Sequence, residues 1–340
     1  MIKPQAFESK NSVKVLNKVL DARYANIFYL LIKLDIPQLL NKAPMSLKLL
    51  AKNSSTDKNA LYRLLRLAKS MGIVEESINT YKLTDYGKAL LPDNPYSIQA
   101  VIIWIFEWKR KVWDNSLYSI QSGKPAFDKV YGKPLFDFLK ENPKAQKLFN
   151  EVMLQRTALN AKRIVESFDF KPFKSIADIG GGKGKLLQEI FKKNPTIKAT
   201  LFDSKSNIDE LLKTELSELK DIKLSAGNFF ESIPKSIDLY IMKEVLHDWT
   251  DDECTLILKN CSEAMHQKSR LLIIEQLIDE SKPETILPDL SMLLTTGGQE
   301  RTKKEYENLL NYTGLIVNKI YDAGGLLKLI EVKKRKQNNS

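Results

Sequence analysis

The stretch "KSIADIGGGKGKLLQEIFKKNP", residues 174 to 195, passes from a short apolar run to a glycine-rich turn, and then to apolar residues at helical spacing. The first part has the length of a buried strand, and the last part the three-and-four repeat of a helix with one buried face. Between them Gly180, Gly182 and Gly184 allow a tight turn, and let the backbone approach a ligand with no Cβ in the way. The same alternation continues outward. "IKATLFD" (197–203), "IKLSAGNF" (222–229), "SIDLYIMK" (236–243) and "RLLIIEQLI" (270–278) read as strands, with helical patterns at 207–219 and 251–265 between them. Strands separated by helices predict an α/β fold, a doubly wound parallel sheet with crossover helices, whose ligands bind at the carboxyl ends of the strands.

The glycine turn does not have the dinucleotide spacing. That fingerprint needs its third glycine three residues after the second, and position 185 is Lys185, so a nicotinamide oxidoreductase is the weaker reading. Asp203 ends the next strand, where a carboxylate accepts both ribose hydroxyls of a bound nucleotide. Its ordinary alternative is a cap on the following helix.

Upstream the pattern is helical. "VKVLNKVLDARYANIFYLLIKLDI" (13–36) repeats apolar residues at helical spacing, Pro37 closes a segment, and "SLKLLAKNS" and "DKNALYRLLRLAKSMG" continue the period. Two β-like runs follow at 73–76 and 80–83, joined by a polar turn. Helices followed by a hairpin predict a winged helix, and a winged helix raises the possibility of a DNA-binding regulator. The candidate recognition helix carries Arg63, Arg66 and Lys69, but Leu61, Leu64, Leu65 and Leu67 dominate it, which favours packing or dimerisation over DNA. The changes of period divide the chain into a mostly helical winged-helix dimerisation domain over residues 1–100, a helical connector over 101–165 that contributes to the substrate pocket, and an α/β domain over 166–335.

Composition bounds the rest. A 340-residue chain with 43% hydrophobic residues has material for packed cores. Its longest apolar run, "SIQAVIIWIFEW" (97–108), is cut short by Glu107 and Lys109, so no membrane span is expected. The first twenty residues lack the apolar centre of a signal peptide, and the two cysteines, Cys254 and Cys261, suit neither a metal site nor a disulfide framework; a reducing cytoplasm is the expected setting. The net charge of +11 is spread along the chain, with one basic cluster, "KKRKQ" (333–337), that reads as a solvated tail and not as a nucleic-acid patch.

One of only two histidines, His247, lies in "MKEVLHDWTDDE" (242–253). Thr250 with Glu253 forms a capping box that starts a helix near residue 251, which places His247 between a strand's carboxyl end and a helix start. A helical turn over 243–247 would set Lys243 and His247 on one face. On local grammar alone, a working base and a junction residue bonded to backbone both remain open. The other histidine, His266, follows a helix in "EAMHQKSR" and reads as a solvated residue beside its dipole.

Taken together, the acidic glycine turn Asp178–Gly184, the run 225–265 and the segment "LPDLSMLLTTGGQERTKKEYENLLNYTGL" (287–315) resemble the class I S-adenosylmethionine-dependent O-methyltransferases of the acetylserotonin and caffeic acid type. The resemblance rests on a G-D-x-F-like stretch, K-x-x-x-H-D-W, D-x-x-M and G-G-x-E-R-T, and "GKPAFDKVYGKPLFDFL" (123–139) also fits, so it covers nearly the whole chain. It implies a Rossmann-like methyltransferase sheet, a homodimer formed through the N-terminal domain, and S-adenosylmethionine as methyl donor with S-adenosylhomocysteine as product. It further implies a metal-independent transfer to a hydroxyl of a small aromatic or polyketide-like acceptor. By resemblance Gly180 and its neighbour Gly182, Asp203, Asn228, Phe229 and Lys243 hold the cofactor. His247 becomes the general base, flanked by Glu275 and Glu300. Two positions depart from the family pattern: Asn228 stands where the family has Asp, and Lys205 where it has proline. An amide both donates and accepts, so Asn228 still suits an adenine edge.

The acceptor pocket is expected from Met153, Trp113, Trp249 and Met292, against the ordinary alternative that such residues are core. No metal site is expected, because the carboxylates lack histidine or cysteine companions at ligand spacing. The same fold and cofactor also serve decarboxylation or hydroxylation in some relatives, which remains the alternative chemistry.

Overall fold

In the computed structural model, which describes residues 5–213 and 221–336, the chain groups into two units, Met1–Glu107 and Trp108–Ser340. The first contains the helices Gln5–Asp21, Tyr24–Lys33, Ile36–Lys42, Leu47–Asn53 and Lys58–Ser70. Pro37 opens the third of these and does not close the second, because a proline in the first turn forfeits only an amide that has no intrahelical partner. In the helix Lys58–Ser70, capped by the Asp57 carboxylate on the Ala60 amide at 2.8 Å, Leu61, Leu65 and Ala68 are buried while Arg63, Arg66 and Lys69 are exposed. Strands β1 (Met45–Ser46), β2 (Val74–Ser77) and β3 (Thr80–Leu83) form an antiparallel sheet in the order β1-β3-β2. The hairpin is where the alternation predicts it; β1, at two residues, is too short to show a period.

The second unit is built on a seven-stranded sheet. Strands β4 (Ser175–Ile179), β5 (Lys198–Asp203), β6 (Ile222–Ala226), β7 (Leu239–Lys243), β8 (Arg270–Gln276), β9 (Leu315–Asp322) and β10 (Leu327–Lys334) lie in the order β6-β5-β4-β7-β8-β10-β9. The pairs from β6 to β8 are parallel, and β10 is antiparallel to both β8 and β9. β4, β7 and β8 are buried along nearly their whole length and read as continuous apolar runs, as strands covered on both faces must. On one face the core gathers Ile164 and Val165 from the helix Pro143–Ser167 with Leu186, Leu187 and Ile190 from the helix Lys185–Lys193. On the other it gathers Cys254, Ile257, Leu258 and Cys261 from the helix Asp251–Ala264 with Leu309 and Leu310 from the helix Lys303–Asn311.

Chain order runs outward from β4 to β6 and then returns to β7 beside β4. The crevice at the carboxyl ends of β4 and β7 is therefore the switch point at which such sheets bind ligands.

Three local expectations are corrected. The helix expected over 207–219 spans Lys205–Lys213, and the rest of it lies outside the described residues. Lys333 and Lys334 belong to β10, with Lys334 Nζ donating to the Met265 carbonyl at 2.8 Å, so half of the basic cluster is strand; Gln337 lies outside the described residues. His266 is fixed in a loop, its Nε2 3.3 Å from Asp238 Oδ1 and its Nδ1 accepting the Lys268 amide at 3.2 Å. Among the described residues, no helix is long and apolar enough to cross a membrane.

Candidate active site

The turn after β4 and the loop after β7 close on each other. Gly180 has φ +73° and its amide donates to the Phe202 carbonyl at 2.8 Å; a Cβ there would stand 3.0 Å from Val245 Cγ2. Both the left-handed backbone and the close approach call for glycine. Asp203, at the end of β5, accepts the Gly182 amide at 2.9 Å and the Ser204 amide at 2.7 Å. The cap on the next helix is Ser204, whose Oγ receives the Asn207 amide at 3.4 Å, so Asp203 is not the capping residue. In β4, Asp178 is buried, and burial together with Asp203 pushes its carboxyl up to about 7 against the opposing pull of Lys243.

Asn228 shapes the turn after β6, its Nδ2 donating to Glu231 at 3.0 Å and its Oδ1 accepting the Phe230 amide at 3.0 Å. Phe229 stands edge-on to Trp249 at 5.9 Å, and Phe230 and Phe136 meet the same indole at 4.8 and 5.3 Å. Trp249, expected in the acceptor pocket, is thus adjacent to the residue expected at the adenine. Lys243 ends β7 and pairs with Glu244.

His247 lies in a 3-10 turn, Leu246–Asp248, that follows Glu244. Residues 243–247 form no helical turn, because Lys243 is still strand and Glu244 takes a left-handed φ of +52°, so the shared face expected for Lys243 and His247 does not arise. The imidazole is buried, with Nδ1 3.2 Å from Glu275 Oε2 and 3.2 Å from Glu300 Oε1. Glu275 projects from β8 and its other oxygen accepts the Val245 and Leu246 amides, each at 2.9 Å. Glu275 thereby holds the loop and places a carboxylate oxygen beside the ring, whose Nδ1 hydrogen-bonds Glu300. Nε2 faces the other way, 3.9 Å from Asp248 Oδ2. Burial opposes a charge on the imidazole, but Glu275, Asp248 and Glu300 outweigh it and hold the histidine well above its ordinary value of 6.5. Burial likewise raises Glu300, and pushes Asp248 up to about 6.

The segment "GGQERT" holds this loop from the side. A Cβ at Gly298 would lie 2.1 Å from the His247 carbonyl oxygen, so only glycine permits the contact. Arg301, almost fully buried, donates to the Leu246 and Trp249 carbonyls at 3.0 Å each and to Asp251 at 2.7 Å. Its role was not anticipated, since an arginine beside a motif glutamate reads from sequence as a surface charge.

Three further charged residues carried no expectation as site residues. Glu244, in its left-handed conformation, binds Lys243 through one oxygen and Arg156 of the helix Pro143–Ser167 through the other. Burial would raise its carboxyl, but Arg156, Lys243 and His247 prevail and hold it well below the usual range. Lys109 donates to Ser291 Oγ at 2.8 Å, and burial with the nearby Arg156 pulls it down to about 8. A lysine inside an apolar run was the one signal available. Of the expected pocket residues, Met292 is buried, Met153 is partly buried one turn before Arg156, and Trp113 is 37% exposed on the short helix Arg110–Asp114.

His247, Glu275 and Glu300 offer ligand atoms within 4.8 Å of one another, a grouping that linear spacing did not disclose. With Nδ1 at hydrogen-bond distance from both carboxylates and Glu275 committed to two amides, the set has the make-up of an oriented imidazole.

Residues 113–316 match the O-methyltransferase domain, and residues 20–93 the O-methyltransferase dimerisation domain. The chain is 30% identical over 330 residues to a mitomycin biosynthesis 6-O-methyltransferase of Streptomyces lavendulae, covering 94% of each chain. It is 31% identical over 311 residues to a phenazine O-methyltransferase of Lysobacter antibioticus, covering 90% of this chain and 91% of the relative. The structure of human N-acetylserotonin methyltransferase with S-adenosylmethionine superposes with a TM-score of 0.88 at 24% identity, over 98% of this chain and 99% of that one, and shows the shared fold. The chain belongs to the O-methyltransferase family, enzymes that use S-adenosylmethionine as methyl donor.

Proposed function

We propose that this enzyme methylates a hydroxyl group of a small aromatic secondary metabolite, with His247 as the general base. The carrying observation is the orientation of the imidazole: Nδ1 faces two buried carboxylates at 3.2 Å while Nε2 is turned toward Asp248, 3.9 Å away. A phenol of pKa about 10 is scarcely ionised at neutral pH, so taking its proton is the step a base must supply. In the proposed reaction the acceptor hydroxyl gives its proton to Nε2, and the Nδ1 proton stays hydrogen-bonded to Glu300, with the Glu275 carboxylate 3.2 Å from the same nitrogen. The imidazolium so formed is stabilised by both carboxylates. The relatives named for mitomycin and phenazine chemistry support a small aromatic acceptor, and methyltransferase relatives across nearly the whole chain favour methyl transfer over the decarboxylating, hydroxylating or DNA-binding alternatives.

The residues at the switch point suit the methyl donor. A Cβ at Gly182, with φ +57°, would meet no atom within 4 Å, so the turn leaves room for a ligand, and Asp203, Asn228, Phe229 and Lys243 lie at or just after the ends of the neighbouring strands. Gly180 and Gly182 would admit its amino-acid part, Asp203 its ribose, and Asn228 with Phe229 its adenine. S-adenosylmethionine, when bound, supplies an electrophilic methyl group on a sulfonium sulfur. The aromatic set Phe136, Phe229, Phe230 and Trp249 would keep water from that edge. The dimerisation domain supports a homodimer. Incubation with a labelled methyl donor and a panel of phenols tests the reading: labelled aryl methyl ethers with equimolar S-adenosylhomocysteine are expected, and their absence across the panel and cell extract would overturn it.

A further inference from the structure

We propose that Arg156 and Glu244 form a positioning pair for the base: their ion pair holds Glu244 in its left-handed conformation, and through it sets the turn that carries His247. The inference rests on the methyl-transfer reading above for the role of His247. Its basis is a strained junction. Glu244 joins β7, which ends at Lys243, to the 3-10 turn Leu246–Asp248. Its φ of +52° lies where residues other than glycine seldom go, and such a conformation persists only when the surroundings impose it. With an ordinary negative φ the chain would leave β7 in another direction, and His247 would go with it.

The clamps on the loop lie beyond this junction. Glu275 and Arg301 hold Val245, Leu246 and Trp249, all downstream of it. Upstream, the Glu244 amide keeps the sheet register by donating to the Ile274 carbonyl at 2.9 Å, which leaves its φ free. The side chain supplies the missing constraint. Its buried carboxylate places Oε1 2.5 Å from Arg156 Nη2 and Oε2 on Lys243. A buried carboxylate gives up such a partner only at a large cost, so the side chain is fixed and the backbone with it. Lys243 is the preceding residue and moves with the junction; Arg156 comes from outside it and is the anchor. The helix that carries Arg156, Pro143–Ser167, is itself tied to neighbouring strand ends. Asn150 Nδ2 donates to Glu210 at 2.9 Å in the helix after β5, and Glu151 lies 3.6 Å from Lys183 in the glycine turn after β4.

The test is NMR of the full-length protein with S-adenosylhomocysteine, isotopically labelled at its two histidines so that each ring gives its own signal. In Arg156→Met the His247 signal should shift or split into more than one conformer. His266, in the loop beside Asp238, should keep its signal and report an intact fold. Arg156→Lys retains a cation for Glu244 and should keep His247 at its wild-type position. Arg156→Met combined with Glu244→Gln should disturb His247 no further than Glu244→Gln alone, because the two residues act as one unit. With the panel phenol that the wild type methylates fastest, Arg156→Met should lose at least about tenfold in turnover while S-adenosylhomocysteine affinity stays within about twofold. An unmoved His247 signal in Arg156→Met, a disturbance that Arg156→Lys does not reverse, or a double variant worse than Glu244→Gln alone overturns the inference and leaves methyl transfer standing. A wild-type protein that binds no S-adenosylhomocysteine and methylates no phenol removes the underlying reading instead, and the ring signals still decide whether the pair sets the turn.

Discussion

At the scale of single residues, the chemistry turns on which charge state His247 holds. Its folded value is raised by the flanking carboxylates, and the ring works as a base only in the form that has lost that extra proton. Turnover should therefore climb with pH along a limb centred above 6.5, as initial rates across pH 5 to 10 would reveal. The same shift acts on stability with the opposite sense: a raised folded value stabilises fully below about 6.5, and that contribution is lost as pH rises through the folded value. Replacing Glu300 with Gln removes one carboxylate that sustains the imidazolium. The limb should then move to lower pH and turnover should drop by about a hundredfold, with donor affinity unchanged. A limb that stays in place would show that Glu300 does not act through the histidine.

At the scale of elements, the site is a loop clamped from two directions. Glu275 pins it from β8 through two amides, and "GGQERT" pins it through Arg301 and the close approach at Gly298. Gly298→Ala drives a Cβ against the His247 carbonyl, so the loop must shift. The expected cost is about 1–3 kcal/mol of stability, read by urea denaturation, together with at least a tenfold loss of turnover. The Thr250–Glu253 capping box, present as its sequence pattern indicates, fixes the other end of the loop. Thr250→Ala should cost about 1 kcal/mol in the same assay and leave the limb of the pH profile where it was.

What was legible at this scale followed from periodicity: strands β4 to β8, the crossover helices and the hairpin β2–β3 all announce themselves by spacing. What was not legible arises from contacts between distant segments. The left-handed Glu244, the pairing of Arg156 across 88 residues and the burial of Arg301 leave no mark on local spacing. The capping alternative for Asp203 was settled only by Ser204 taking that place.

At the scale of the molecule, exposed apolar side chains gather in the N-terminal helix Gln5–Asp21, where Val13, Val15, Leu16 and Val19 are all more than half exposed. Four such residues on one helix make an exposed apolar patch directly before the stretch, residues 20–93, that matches the dimerisation domain. Sedimentation equilibrium should give twice the chain mass, and Val15→Glu with Val19→Glu should shift the population toward monomer. The alternation of strands and helices was readable from the pattern, whereas the strand order and the antiparallel β9 and β10 were not part of that reading.

The central claim is that His247 removes the acceptor's proton. Its most direct test compares turnover of His247→Ala with that of the wild-type enzyme, while calorimetry measures S-adenosylmethionine binding to both. The account predicts unchanged donor affinity with turnover reduced at least about a hundredfold and the rising pH limb abolished. Turnover within a few-fold of wild type, with the pH limb intact, would contradict it.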